Sequence, residues 1–184
     1  MQSIMHNGDA GFLILPLKSK ELKKLREDEK EIFCHNIREY ENAMYFLAFS
    51  LLNNSEDAND AVSESILKAY ENFHTLRQKN KFKPWILKIV HNTSVEIIRK
   101  NSHFTSFYDE CQCKNTDNTD TEITLKIAVM SLKQPYRTVI ELYYYEDMKL
   151  NEIAQITDTN PVTVRKQLSR GREILREILK EDFR

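Results

Sequence analysis

Glycine and proline are scarce in this chain, 3 and 4 among 184 residues. A sandwich or barrel of short strands uses turn residues far more often, so a turn-rich all-β fold is excluded, as are collagen-like and elastic repeats. Cysteine is equally rare. Cys34, Cys111 and Cys113 make an odd set, and without a recognisable secretory leader they read as reduced thiols of a cytoplasmic protein. Cys111 and Cys113 would supply half a metal site, but no Cys or His stands beside them at zinc spacing, so neither metal nor other cofactor is expected. Long hydrophobic runs are missing too. Phe12 to Leu17, interrupted by Pro16, falls far short of the roughly 20 residues of a membrane span. It lacks the flanks of a signal peptide, so no stable membrane insertion is expected. Charge of one sign is also missing. Lys and Arg number 27 against 28 Asp and Glu, a net charge of -1, so only local segregation of charge can point to a polyanionic partner. With scattered histidines, no nucleophile–base pairing and no phosphate-cradling glycine loop, the chain does not read as an enzyme.

What is present is helical periodicity. Hydrophobic residues make up 41% of the chain, enough for one medium core or two small ones. From Lys20 to Lys100 the pattern is helical nearly throughout. Tyr45, Phe46, Phe49 and Leu52 predict one buried helix face. Asn53-Asn54 marks a turn, Ser55 a helix N-cap, and Ala58, Val62, Ile66, Ala69, Tyr70 and Phe73 a second apolar stripe. Arg77 to Lys83 reads as a basic loop. A helix starting near Pro84 shows Ile86, Ile89, Val90, Thr93 and Ile97 on one side. The pattern dissolves between Asn101 and Thr121, which is polar, acidic and aperiodic, and returns at Ile123. The expectation is all-α: two small helical domains, 19–100 and 122–184, joined by a flexible acidic linker, 101–121, after a poorly ordered leader, 1–18.

The most specific signal lies near the C-terminus. Leu150 to Ile156 predicts a short helix, Thr157-Asp158-Thr159 a tight polar turn, and Asn160-Pro161 an N-cap followed by the residue preferred at the first helical position. Short helix, turn and longer helix form the helix-turn-helix arrangement. Pro161 to Arg172 carries Arg165, Lys166, Arg170 and Arg172 with no acidic residue. Val164 and Leu168 should face inward, while Thr163, Arg165, Lys166, Ser169 and Arg170 face outward. Cations there can neutralise phosphates, and guanidinium forks can read guanine edges in the major groove. The alternative is a solvated basic face on an ordinary hairpin.

Charge is segregated in the first domain as well. Asn54 to Phe73 holds Glu56, Asp57, Asp60, Glu64 and Glu71 against Lys68, whereas His74 to Lys100 holds seven cations against Glu96. Either the two segments bridge each other, or they serve two partners, a basic protein surface and a nucleic-acid backbone. Phe82 and Trp85 flank Lys83 near Asn80 and Asn92, types suited to stacking and binding single-stranded bases. Trp85 reads equally as a core residue.

These residues resemble a known family. Asp57 to Tyr70 is similar to the polymerase-docking helix of bacterial extracytoplasmic function (ECF) sigma factors, and Phe82 to Asn92 to their promoter-melting segment. Tyr136 to Glu146 with Glu152-Ile153-Ala154 resembles their region four, and Thr163 to Arg172 its recognition helix. The resemblance implies a promoter-specificity subunit of RNA polymerase rather than an enzyme. Asp57, Asp60 and Glu64 would dock on core RNA polymerase. Asn80 would capture an unstacked base of the minus-ten element, at an extrusion cost of about a few kcal/mol that stacking must offset. Lys81, Lys83, Lys88, His91, Asn92 and Arg99 would line that DNA. Thr163, Arg165, Lys166, Ser169, Arg170 and Arg172 would read the minus-thirty-five element. An anti-sigma factor would hold the protein inactive in the cytoplasm or at the membrane. Ser63, Thr157-Asp158 and Asn160-Pro161 depart from the family pattern, which bears on base preference rather than fold. A stand-alone repressor would need a dimer seam that the sequence does not offer. A helical adaptor would tolerate loss of Arg165, Lys166 and Arg170.

Overall fold

The computed structural model describes residues 26–101 and 120–182. The leader 1–18, the pair Cys111 and Cys113 and nearly all of the expected linker lie outside them. Seven helices and two single-turn 3₁₀ segments account for the described structure, with no strand among those residues: α1 Glu27–Leu52, α2 Ser55–Asn72, α3 Phe82–Asn101, α4 Asp120–Ser131, α5 Tyr136–Tyr144, α6 Leu150–Ile156 and α7 Pro161–Asp182. α1, α2 and α3 pack on one another, and α4 to α7 form a second cluster around α7.

The N-terminal unit buries Phe33, Ile37, Met44, Leu47, Ala48 and Leu52 from α1. This differs from the predicted face. Phe46 is exposed, while Tyr45 and Phe49 lie half-buried and stack on each other with centroids 6.0 Å apart. A continuous stripe at 33, 37, 44 and 47/48 follows the helical period over the whole 26 residues, and the local aromatic cluster lies off it. α1 ends at Asn53, which adopts the left-handed conformation at φ 55° and so turns the chain toward α2. The α2 cap is Asn54, not Ser55: its Oδ1 accepts from the N–H groups of Glu56 (2.8 Å) and Asp57 (3.1 Å). Ser55 is the first helical residue. The α2 stripe is buried at Ala58, Val62, Ala69 and Tyr70, with Ile66 packed at its edge.

An aromatic cluster fixes the start of α3. Phe33 meets Tyr70, Phe73 and Phe82 edge-on at 5.5, 5.2 and 6.2 Å, and Trp85 leans on Phe82 at 5.6 Å. Phe82 is 2% exposed. Its ring is therefore core and not a stacking platform for bases, while Trp85 is half-buried at the rim. Pro84 sits within the first turn of α3, where its missing N–H costs nothing.

In the C-terminal unit, Asn160 Oδ1 accepts the Thr163 N–H at 2.8 Å and caps α7 as the sequence predicts. Asp158, at φ 50°, makes the turn after α6. Val164, Leu168 and Leu175 face α5 and α6, with Ile140, Leu142, Ile153 and Ile156 opposite. Gly171 lets α7 approach α5 closely, because a Cβ there would stand 3.0 Å from Ile140 Cγ1.

The two units touch along α1/α5 and α3/α6. Gln134 Nε2 and Arg137 Nη1 both donate to the Ser50 carbonyl, at 2.8 and 3.1 Å. Beside them the Glu141 carboxyl is buried, with Oε2 unpartnered. Burial pushes its pKa up to about 8, with Glu146 adding to the rise, while the Ser50 hydroxyl and Arg137 pull the other way.

Below about pH 4.5 Glu141 is protonated whether folded or not. Between there and about 8 only the folded chain keeps the proton, so this group makes stability fall as pH rises, levelling above 8. Glu141→Gln removes the titration, so its urea midpoint should gain on the parent's steadily from pH 5 to 8; parallel profiles would contradict the assignment. Phe82→Ala should destabilise the N-terminal unit by about 3–5 kcal/mol, read by thermal unfolding. Asn80→Ala, at an exposed turn, should stay within about 0.5 kcal/mol.

Candidate nucleic-acid and polymerase interface

Three polar surfaces emerge from these elements. On α2, Asp57, Asp60 and Glu64 recur at helical spacing on the side opposite buried Ala58, Val62 and Ser65; Asp60 is exposed, and the other two are half-buried. The ion pair joining α2 to α3 uses each helix's minority charge. Lys68 Nζ reaches Glu96 at 2.8 Å as well as Glu64 at 3.0 Å. It holds the Glu96 carboxyl below its usual range. Asp57 and Asp60 are not drawn into that bridge, so the stripe remains acidic.

The second surface is the 3₁₀ turn Lys79–Lys81 and the adjoining side of α3. The aromatic cluster pins the chain on both sides of this turn, with Lys79 Nζ 3.6 Å over the Phe73 ring. Asn80 is thereby left exposed at its tip, and Lys81, Asn92 and Arg99 are exposed as well. Lys83, Lys88 and His91 are half-buried because the C-terminal unit lies against them. Lys83 Nζ donates to the Glu146 carbonyl at 2.8 Å and pairs with its carboxylate at 3.0 Å. Lys88 pairs with Asp158 at 2.6 Å, and Lys81 with Glu152 at 3.3 Å. Burial would raise the Glu152 carboxyl, but the Lys149 N–H and the Lys81 ammonium prevail and hold it low. Burial lowers the His91 pKa, with the Asn92 side chain and Asp158 opposing. A lowered pKa leaves this imidazole neutral at physiological pH, a hydrogen-bonding group rather than a cation.

Exposed pairs of this kind contribute about 0–1 kcal/mol each. Lys83–Glu146 is the most enclosed, with side chains 28% and 13% exposed. Sequence reading identified the lysines but not their carboxylate partners, which lie 63 to 71 residues away in the chain. No local pattern marks such a pairing.

The third surface is the outer side of α7. Arg165, Lys166, Ser169 and Arg170 are exposed along it, Thr163 is half-buried at its start, and Val164 and Leu168 point inward as predicted. Arg170 pairs with Glu173 at 2.9 Å. Arg172 is committed elsewhere: its Nε donates to the Tyr144 hydroxyl at 2.8 Å, and its guanidinium lies 5.4 and 5.5 Å from the Tyr143 and Tyr144 rings. Val162, 59% exposed in the first turn of α7, is an apolar group on the outer side that charge counting passed over. Behind Arg172 an open groove of about 770 Å³ is lined by Leu125, Val129, Tyr144, Leu175 and Leu179.

No group of His, Cys, Asp and Glu among the described residues is placed to hold a metal ion. No described helix is long and apolar enough to cross a membrane.

Comparison with known proteins agrees with this geometry. Residues 37–104 match the Sigma-70 region 2 family and residues 126–175 the Sigma-70, region 4 family. The chain is 34% identical over 164 residues to the RNA polymerase sigma factor SigV of Bacillus subtilis, covering 87% of this chain and 99% of SigV. To the ECF RNA polymerase sigma factor SigW of the same organism it is 26% identical, covering 88% and 96%. Among solved structures it resembles the sigma factor RpoE in complex with the anti-sigma factor NepR from Bartonella quintana. The TM-score is 0.70 at 21% identity, over 80% of this chain and 96% of that one. It also resembles CnrH in complex with the cytosolic domain of CnrY, with a TM-score of 0.61 at 17% identity over 89% and 94%. These two likenesses speak to the fold alone. Both family matches, in the order region 2 then region 4, together with the near full-length relationship to SigV, establish that the chain belongs to the ECF sigma factors of RNA polymerase.

Proposed function

We propose that the three surfaces have the separate partners that promoter-specific initiation requires. The acidic stripe Asp57, Asp60 and Glu64 docks on core RNA polymerase. Asn80, at the tip of the basic turn, takes an unstacked base of the minus-ten element, while Lys81, Lys83, Lys88, His91, Asn92 and Arg99 follow the adjacent backbone. Thr163, Arg165, Lys166, Ser169 and Arg170 read the minus-thirty-five element from the major groove, with Arg172 supporting the helix through Tyr144. On this reading residues 19–100 and 122–184 are the two binding heads, 101–121 the tether between them, and 1–18 an added leader. The chain itself has no catalytic step: it positions and opens DNA for the polymerase.

The observation that carries this reading is the outer side of α7. A capped helix after a three-residue turn presents Arg165, Lys166 and Arg170 to solvent while Val164, Leu168 and Leu175 face α5 and α6. An adaptor needs no such division. Control by an anti-sigma factor is inferred from the structural relative RpoE, solved with the anti-sigma factor NepR. The sigma factor acts in the cytoplasm, and is held at the membrane when the anti-sigma factor is itself anchored there.

Run-off transcription with purified core polymerase on a pool of genomic promoters, read by sequencing, tests the reading: a defined promoter set should emerge, and no template-specific transcript would contradict it. Arg165→Ala, Lys166→Ala and Arg170→Ala should each weaken promoter binding by the holoenzyme. Each lost phosphate contact should reduce the log–log salt slope by about 1. Unchanged affinity and slope in the triple variant would remove α7 from the DNA.

A further inference from the structure

One side chain on the outer side of α7 has no role in a purely electrostatic grip. Val162 is 59% exposed in the first turn of α7, and Pro161 before it is exposed too. With 3.6 residues per turn, Lys166 lies about 40° to one side of Val162 and Arg165 about 60° to the other. Buried Val164 and Gly171, the latter against Ile140 of α5, lie on the far side of the helix. Val162 therefore stands within the cationic stripe and not at its margin. Its isopropyl group forms no hydrogen bond and pairs with no phosphate. The polar groups around it are scarce as well. Pro161 has no N–H, and the Thr163 N–H is held by Asn160 Oδ1 at 2.8 Å. Two of the first three N–H groups that a helix start offers to an anion are thus missing or occupied, which leaves the tip of α7 largely apolar.

We propose that Val162 packs on the C5 methyl group of a thymine in the minus-thirty-five element and so sets base preference at one position of that element. The inference rests on the reading of α7 as the major-groove helix, and it adds a residue for apolar readout to the polar ones. Thymine alone among the four bases carries a methyl group on its major-groove edge; the remaining features there are donors and acceptors that a valine cannot match. Asn160-Pro161 sets where α7 begins, so this departure from the family pattern acts on base preference through the residue that follows it.

The test removes the apolar group from each side of the contact in turn. On a promoter identified by run-off transcription, each thymine of the minus-thirty-five element, on either strand, is replaced singly by deoxyuridine. That base keeps its pairing and lacks only the C5 methyl. Holoenzyme affinity is read by competition binding for the parent, Val162→Ala and Ile127→Ala, with circular dichroism verifying the fold. Ile127 is a comparably exposed apolar residue on α4, at 52%. One replacement should weaken the parent and Ile127→Ala about threefold or more, and the same replacement should leave Val162→Ala unchanged. An element without thymine, no sensitive position, or a position to which Val162→Ala stays equally sensitive overturns the inference. Arg165→Ala in the same assay keeps the two readings apart. If it weakens binding while no deoxyuridine does, α7 still reads DNA and only the thymine contact falls; if it changes nothing, both fall.

Discussion

The placement of Asn80 and the cations around it depends on one packed aromatic cluster. Phe33, Tyr70, Phe73 and Phe82 come from α1, α2, the turn after it and the first position of α3. Together they hold both sides of a short, strongly basic segment that has no apolar stripe of its own. The run Arg77-Gln78-Lys79-Asn80-Lys81 cannot bury itself. It is held in one place because Phe73 and Phe82 on either side are buried at 0% and 2% exposure. Burying such rings contributes more than any of the exposed ion pairs nearby. Exposure of Asn80 and the course of α3 are by-products of that packing.

A different constraint governs the C-terminal unit. Helical geometry gives α7 two sides that cannot exchange roles: 164, 168, 171 and 175 meet α5 and α6, and 165, 166, 169 and 170 do not. Gly171 brings the helices close, and the Asn160 cap fixes where α7 begins. A shift of one residue in that start would rotate the cations about 100° toward the core. The N-cap therefore sets which way these cations face as well as helix stability.

Much of this was legible in the sequence. The bounds of α6, the turn at 157–159, the Asn160 cap and the inward pair Val164 and Leu168 follow from local rules, and local rules sufficed because each rests on neighbours three or four residues apart. Where long-range packing decides, sequence reading slipped. The buried side of α1 is set by what α2 and α3 present to it, so of the expected Tyr45, Phe46, Phe49 and Leu52 only Leu52 is fully buried, Tyr45 and Phe49 pack at the edge of the core, and Phe46 is exposed. Phe82 looked like a stacking residue because its Lys neighbours are visible in sequence and its ring partners, nine and 49 residues away, are not. The counter-charges of Lys81, Lys83 and Lys88 were out of reach for the same reason. Arg172 counted as one more cation until Tyr143 and Tyr144 were placed beneath it.

On the proposed function, two separately built surfaces engage two separate stretches of one promoter when core polymerase holds them apart. Hydroxyl-radical footprinting of the holoenzyme on a promoter it transcribes tests this most directly. The account predicts two protected patches about two helical turns apart. Arg165→Ala should erase the upstream patch alone, and Asn80→Ala should erase the downstream patch alone. A single continuous patch, or two patches that both fade with either substitution, would contradict it.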